Sequence, residues 1–170
     1  MTPFSQEEKE MFDQVFERKL TYRQFFRAQH RDFIILAKAL EKEMGKDKAI
    51  AFIKDITTQR MSGYGKAQAG RSSDNSLNAY VEQFRSEKAY KNLLRKEIVE
   101  DTEKAFELKV TKCIWADSFR GSDAADIGYA WVCWGDYAWA EGFNPKIKMV
   151  RDKTLMQGDD LCNHRYVWTD

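Results

Sequence analysis

The chain is poor in the side chains that most often announce chemistry. Its 170 residues include only three cysteines and two histidines. Cys113, Cys133 and Cys162 form no C-x-x-C pair and are odd in number, which fits reduced thiols in a cytoplasm better than a disulfide framework. A structural zinc site needs four ligands, usually in tight pairs, and His30 lies far from the other candidates in sequence. No run approaches the ~18 apolar residues of a membrane span. The opening "MTPFSQEEKEMF" has no apolar signal-peptide core. An excess of one charge is missing too: 28 basic and 27 acidic residues leave +1, whereas a nucleic-acid footprint needs a local basic surplus. The expectation is a cytoplasmic protein forming one domain over 1–170, without nucleic-acid or membrane partners.

What is present sorts into two halves. Over 1–101 the pattern is mostly helical. Ser5-Gln6-Glu7-Glu8 is a capping box, and Phe12, Val15, Phe16 and Leu20 give the helix after it one apolar face. Phe33, Ile34, Leu36, Ala37, Leu40 and Met44 mark a second helix, with Gly45 as its C-terminal cap. A third starts near Asp47 and carries Ile50, Ile53 and Ile56, and is expected to stop at Gly63 and Gly65. The polar stretch 68–76 reads as a loop. Helical spacing returns with Leu77, Tyr80, Val81 and Phe84, then with Leu93, Leu94 and Ile98. These helices are also the candidate surface for a homo-oligomer.

Over 102–170 the period changes. "AFELKVTKC" alternates, with Phe106, Leu108 and Val110 on one side, so Cys113 should face the other way. "PKIKMVRD" and "CNHRYVW" supply two more strands, and Ser122 or Asp123 is placed to cap a helix running through Cys133. The fold class that results is α+β: an N-terminal helical layer packed on a small three-stranded antiparallel sheet.

Three constellations stand out. On the last strand Cys162 and His164 share one face, roughly 6–7 Å apart, after the turn Gly158-Asp159-Asp160. The alternative is a small core thiol and a hydrogen-bonded histidine. In "WVCWGDYAW", helical spacing puts Cys133 and Asp136 together with Tyr129 and Tyr137, amid Trp115, Trp131, Trp134 and Trp139. Such aromatics form a core or line a water-poor cavity. Arg151, on the apolar side of its strand, requires a carboxylate from the protein or from a ligand. No cofactor is expected, although a catalytic metal held by Cys, His and Asp stays open.

The C-terminal part resembles the L-2-amino-thiazoline-4-carboxylic acid hydrolase family. The likeness rests on Cys113, Cys133 with Asp136, "FNPKIKMVRDKTLMQGDD" and Cys162, over about residues 108–168. It implies a hydrolase that opens a cyclic amidine ring bearing a carboxylate and yields a carbamoyl-cysteine. Either Cys162 with His164 and Asp159, or Cys133 with Asp136, would then supply nucleophile and acid–base groups. The first set is preferred because histidine moves protons near neutral pH. Arg151 would hold the substrate carboxylate, with Thr154 nearby and Trp131 and Trp134 lining the pocket. A rival expectation is a small-molecule-binding or sensor domain of the vinyl-reductase type, which needs the cavity but no proton-transfer group.

Overall fold

The computed structural model describes residues 5–6 and 19–170; the first expected helix, with Phe12, Val15 and Phe16, lies outside them. Helix α1 (Tyr22–Met44) opens on a capping box in which the Thr21 hydroxyl accepts the Gln24 N–H at 3.2 Å and the Gln24 side chain accepts the Thr21 N–H at 3.0 Å. Its buried stripe is Phe26, His30, Ile34 and Ala37, close to four-residue spacing. Gly45, at φ +87°, ends it and starts α2 (Lys46–Ala69) without an intervening loop. Phe25, Ile35 and Leu36 of α1 and Phe52 and Ile56 of α2 stand exposed on this hairpin.

Helix α2 runs on through Gly63 and Gly65, where the sequence had led us to expect its end. Gly65 serves contact, not termination. A Cβ there would sit 2.4 Å from the Trp139 carbonyl oxygen, and one on Gly142 would sit 2.5 Å from that of Ser62. Bare backbone at these two points lets α2 lie directly against α7 (Gly135–Phe143).

After α3 (Leu77–Arg85) and the single turn α4 (Glu87–Tyr90) comes β1 (Leu94–Asp101), a segment whose apolar spacing had suggested helix. The sheet therefore has four antiparallel strands, not three. With β2 (Ala105–Cys113), β3 (Ile147–Val150) and β4 (Cys162–Trp168), the order is β1-β2-β4-β3. β1 is an edge strand with Ile98 and Val99 partly in solvent, so burial alternates weakly along it and the period is hard to read.

Two bulges interrupt the β1–β2 ladder. Lys96 pairs with Val110 while Arg95 pairs with Lys112, which leaves Thr111 as the extra residue. That residue reverses the parity of the end of β2. Cys113, opposite Leu94, consequently stands on the same face as Val110 and Leu108 instead of the opposite one. The expected orientation of Cys113 is corrected by one inserted residue.

Between β2 and β3 run α5 (Ile114–Arg120), α6 (Ala125–Gly128), a π-helical turn (Tyr129–Cys133) and α7. Ser122 and Asp123 do not cap this run. The residue at the cap is Ala124, the Ser122 hydroxyl donates to the Ser118 carbonyl, and Asp123 sits at φ 51°. One apolar core lies between the sheet and helices α3 and α7, around Tyr80, Phe84, Phe106, Leu108 and Tyr166. A second lies among α1, α2, α5, α6 and the π-turn, around Ile34, Ile53, Phe119 and Ile127. Cys113 and Leu155 touch both.

Candidate functional site

Where the two cores meet, packing is incomplete. A cavity of about 210 Å³ opens between the sheet face and the π-turn with α7. Small-molecule sites commonly run from ~300 to 1,000 Å³, so this one suits a single small ring. Its walls are mostly apolar and aromatic: Phe84, Leu108, Val110, Trp115, Trp139 and Tyr166. Set into them are Cys113, Cys133, Cys162, Asp136, His164 and Lys96.

The two constellations that sequence treated as rivals are therefore neighbours. β4 presents Cys162 and His164 by simple alternation. The other wall owes its geometry to the π-turn, where the Trp134 N–H reaches back to the Tyr129 carbonyl at 2.8 Å and one extra residue enters the helix. Cys133 ends that turn, and Asp136 and Trp139 follow at three-residue spacing on the cavity side.

Arg151 connects the walls from behind. Its side chain is 1% exposed. Nη1 donates to Asp136 Oδ2 at 2.8 Å, and Nη2 donates to the Cys133 carbonyl at 2.5 Å. The guanidinium lies 5.1 Å from the Tyr137 ring centre and 5.8 Å from that of Tyr129. Its required carboxylate is thus the protein's own, and Arg151 lies behind the cavity while Asp136 stands in its lining. Burial pulls its pKa down, but the Asp136 charge and hydrogen bond, with Cys133 and Tyr137, together outweigh burial and hold the guanidinium protonated.

The same guanidinium fixes the state of His164. Nη1 lies 3.4 Å from His164 Nε2. Arginine can only donate, so Nε2 carries the lone pair and the ring is neutral. Burial first, and then the Arg151 charge, press the imidazole down to about 4, against the pull of Asp136. At neutral pH His164 is an acceptor and a weak base, which removes the reason for preferring it as the proton carrier.

Thr154 stands under the thiols. Its buried hydroxyl oxygen is 3.8 Å from Cys162 Sγ and 4.0 Å from Cys133 Sγ, and it accepts the Met156 N–H at 3.2 Å. Cys162 Sγ also accepts the Leu155 N–H at 3.2 Å. Burial pushes the Cys113 thiol up to about 11 and the Cys133 thiol further still. Cys162 thus combines a backbone N–H donor with a place in the cavity wall opposite Asp136.

Three expected site residues sit elsewhere. Asp159 is exposed, and its carboxylate accepts the Thr154 N–H at 2.7 Å. With Gly158 at φ +107° it shapes the loop that delivers Thr154. Trp131 stacks on Phe33 at 4.3 Å under Arg60, and Trp134 donates to the Thr58 hydroxyl at 3.1 Å. Both face α1 and α2 while Trp115 and Trp139 take the cavity. His30 is a core residue bonded through Nδ1 to the Phe26 carbonyl at 2.8 Å. Lys96 was missed because its strand was read as helix. Among the described residues, no three His, Cys, Asp or Glu side chains converge as a metal site, and no helix is long and apolar enough to cross a membrane.

Among solved structures, the chain resembles the phenol-responsive sensory domain of the transcription activator PoxR with phenol. The TM-score is 0.54 at 12% identity, over 89% of this chain and 77% of that one. It also resembles a trafficking protein particle complex subunit 3 from Naegleria fowleri covalently bound to palmitic acid. There the TM-score is 0.50 at 12% identity, over 85% of this chain and 97% of that one. At such identity these likenesses speak for the fold alone. No curated protein sequence matches the chain. The family model for L-2-amino-thiazoline-4-carboxylic acid hydrolase matches residues 25–166, reaching far upstream of the motifs into α1. The chain belongs to the L-2-amino-thiazoline-4-carboxylic acid hydrolase family.

Proposed function

We propose that the protein hydrolyses a small cyclic amidine bearing a carboxylate, of the 2-amino-thiazoline-4-carboxylate type, inside the 210 Å³ cavity. The observation that carries this reading is the convergence of Cys162, Cys133, Asp136 and His164 on one apolar chamber sized for a single ring. Membership of the hydrolase family supports it.

In this reading the Cys162 thiolate adds to the ring carbon between nitrogen and sulfur. The ring carbon–sulfur bond breaks, and the ring sulfur leaves as the product thiol with the proton that Cys162 gave up. Water then adds to the same carbon, the bond to Cys162 breaks, and a water proton returns to Cys162. The sum is ring plus water to carbamoyl-cysteine. Asp136, the carboxylate in the cavity wall, is the proton carrier, and Arg151 holds it in place. With its Nε2 facing Arg151, His164 has its Nδ1–H to donate to a substrate acceptor, and Thr154 with the Leu155 N–H steadies the sulfur.

Incubation with 2-amino-thiazoline-4-carboxylate, followed by mass, tests this. The wild-type protein should add one water to the compound, Cys162→Ser should not, and Cys133→Ser should retain turnover. Unchanged turnover in Cys162→Ser would contradict the assigned nucleophile and move the chemistry to Cys133.

A second reading has one observation in its favour: a structural neighbour is a sensory domain described with phenol. A binding module would hold the same compound in the same cavity without turnover. Saturable binding with no gain of water in any variant would select it.

A further inference from the structure

The cavity has one ionic group that no partner inside the protein neutralises. Asp136 is matched by Arg151 at 2.8 Å. His164 is neutral, as its contact with Arg151 requires. The remaining charge is the ammonium of Lys96, and no carboxylate among the described residues forms an ion pair with it. Its nearest acidic influence is Glu87, beyond contact distance at the start of α4.

Strand register fixes which row of the sheet carries Lys96. Lys96 pairs with Val110, and Val110 pairs with Cys162. The three residues form one row across β1, β2 and β4, on the face that lines the cavity. Two strand spacings put the Cα atoms of Lys96 and Cys162 roughly 10 Å apart. The bulge at Thr111 maintains this row while turning Cys113 inward beside it. One Lys96 N–H is tied to the Phe84 carbonyl in the last turn of α3. An ammonium has three N–H groups; the Tyr90 ring centre lies 5.8 Å away, and no hydrogen bond from the other two is seen among the described residues.

We propose that Lys96 is the anchor for the substrate's carboxylate, holding the ring between its ammonium and the Cys162 sulfur and selecting anionic over neutral compounds. The assignment rests on the cavity being the place where the small carboxylate is held, as proposed above. It replaces Arg151 in that role, because both Nη groups of Arg151 are engaged and its side chain is closed off behind the wall. It does not depend on turnover. A sensor would use the same anchor.

Binding measured by quenching of Trp115 and Trp139, both in the cavity wall, separates the cases. The probes are 2-amino-thiazoline-4-carboxylate and its carboxamide. Wild-type protein should prefer the carboxylate, and Lys96→Met should weaken that compound by about ten- to a hundred-fold while leaving the carboxamide unchanged. Lys96→Arg should restore most of the preference. Equal losses for both probes would mean that Lys96 only props α3, and the proposal would fall. A preference that survives in Lys96→Met, or no preference in the wild type, would overturn it as well. Charge-selective binding without turnover would sink the hydrolase reading and leave Lys96 standing. Turnover with undiminished charge selectivity in Lys96→Met would do the reverse.

Discussion

The two faces of the four-stranded sheet use charge in opposite ways. On the outer face Glu97, Lys109 and Asn163 form one row, and Glu100, Glu107 and Arg165 the next. Arg165 bridges the two glutamates at 2.9 and 3.6 Å, with every partner partly in water. On the inner face the rows read Lys96, Val110, Cys162 and Ile98, Leu108, His164. There each polar group sits among aromatics, and in the one ion pair behind the wall the Arg151 guanidinium is shut off from water while Asp136 opens on the cavity. Outer charges are interchangeable parts of a solvated surface. Inner ones are few, individually positioned and costly to leave alone.

The largest effect should come from breaking the inner pair. Arg151→Met strands Asp136 and frees the Cys133 carbonyl, and should cost about 3–5 kcal/mol in urea unfolding. Next comes the bare contact that holds the cavity's roof. Gly65→Ala drives a methyl into the Trp139 carbonyl and should cost about 1–3 kcal/mol. Gly63→Ala, with nothing within 4 Å in the same helix, should instead stabilise by about 0.5–1 kcal/mol.

A smaller effect is set by pH. His164 is held at about 4 in the fold against 6.5 when free. The unfolded chain therefore takes up this proton first as pH falls, so the contribution is whole above about 6.5 and lost on the way to about 4. His164→Asn should flatten the decline of melting temperature across that window; an unchanged slope would show that the imidazole is not pressed by its surroundings. The smallest change belongs to the outer face. Arg165→Met should cost under ~1 kcal/mol, and a larger loss would erase the contrast between the faces.

How much of this was legible in sequence follows from the same contrast. β2, β3 and β4 announce themselves because one side is buried and the other solvated, so period two is visible. β1 does not, because it is an edge strand with a lysine pointing inward, and Leu94 and Ile98 also satisfy a helical spacing. Gly45 as a cap was readable from its position, whereas Gly65 in close contact required knowing where α7 would lie. Each polar pair of the site was visible locally. Their union was not, since it depends on the Thr111 bulge, the π-turn and the register of three strands. Asp159 and Trp131 were misplaced for a related reason: composition marks a region, and only packing says which member of a cluster faces the cavity.

Crystals of the Cys162→Ser variant soaked in 2-amino-thiazoline-4-carboxylate give the most direct test of the inner face as a site. The ring should lie in the chamber between the sheet and α7, its carboxylate on the Lys96 ammonium and its amidine carbon toward residue 162. A ring bound outside the chamber would contradict the reading. So would an empty chamber when the wild-type protein turns the compound over in solution.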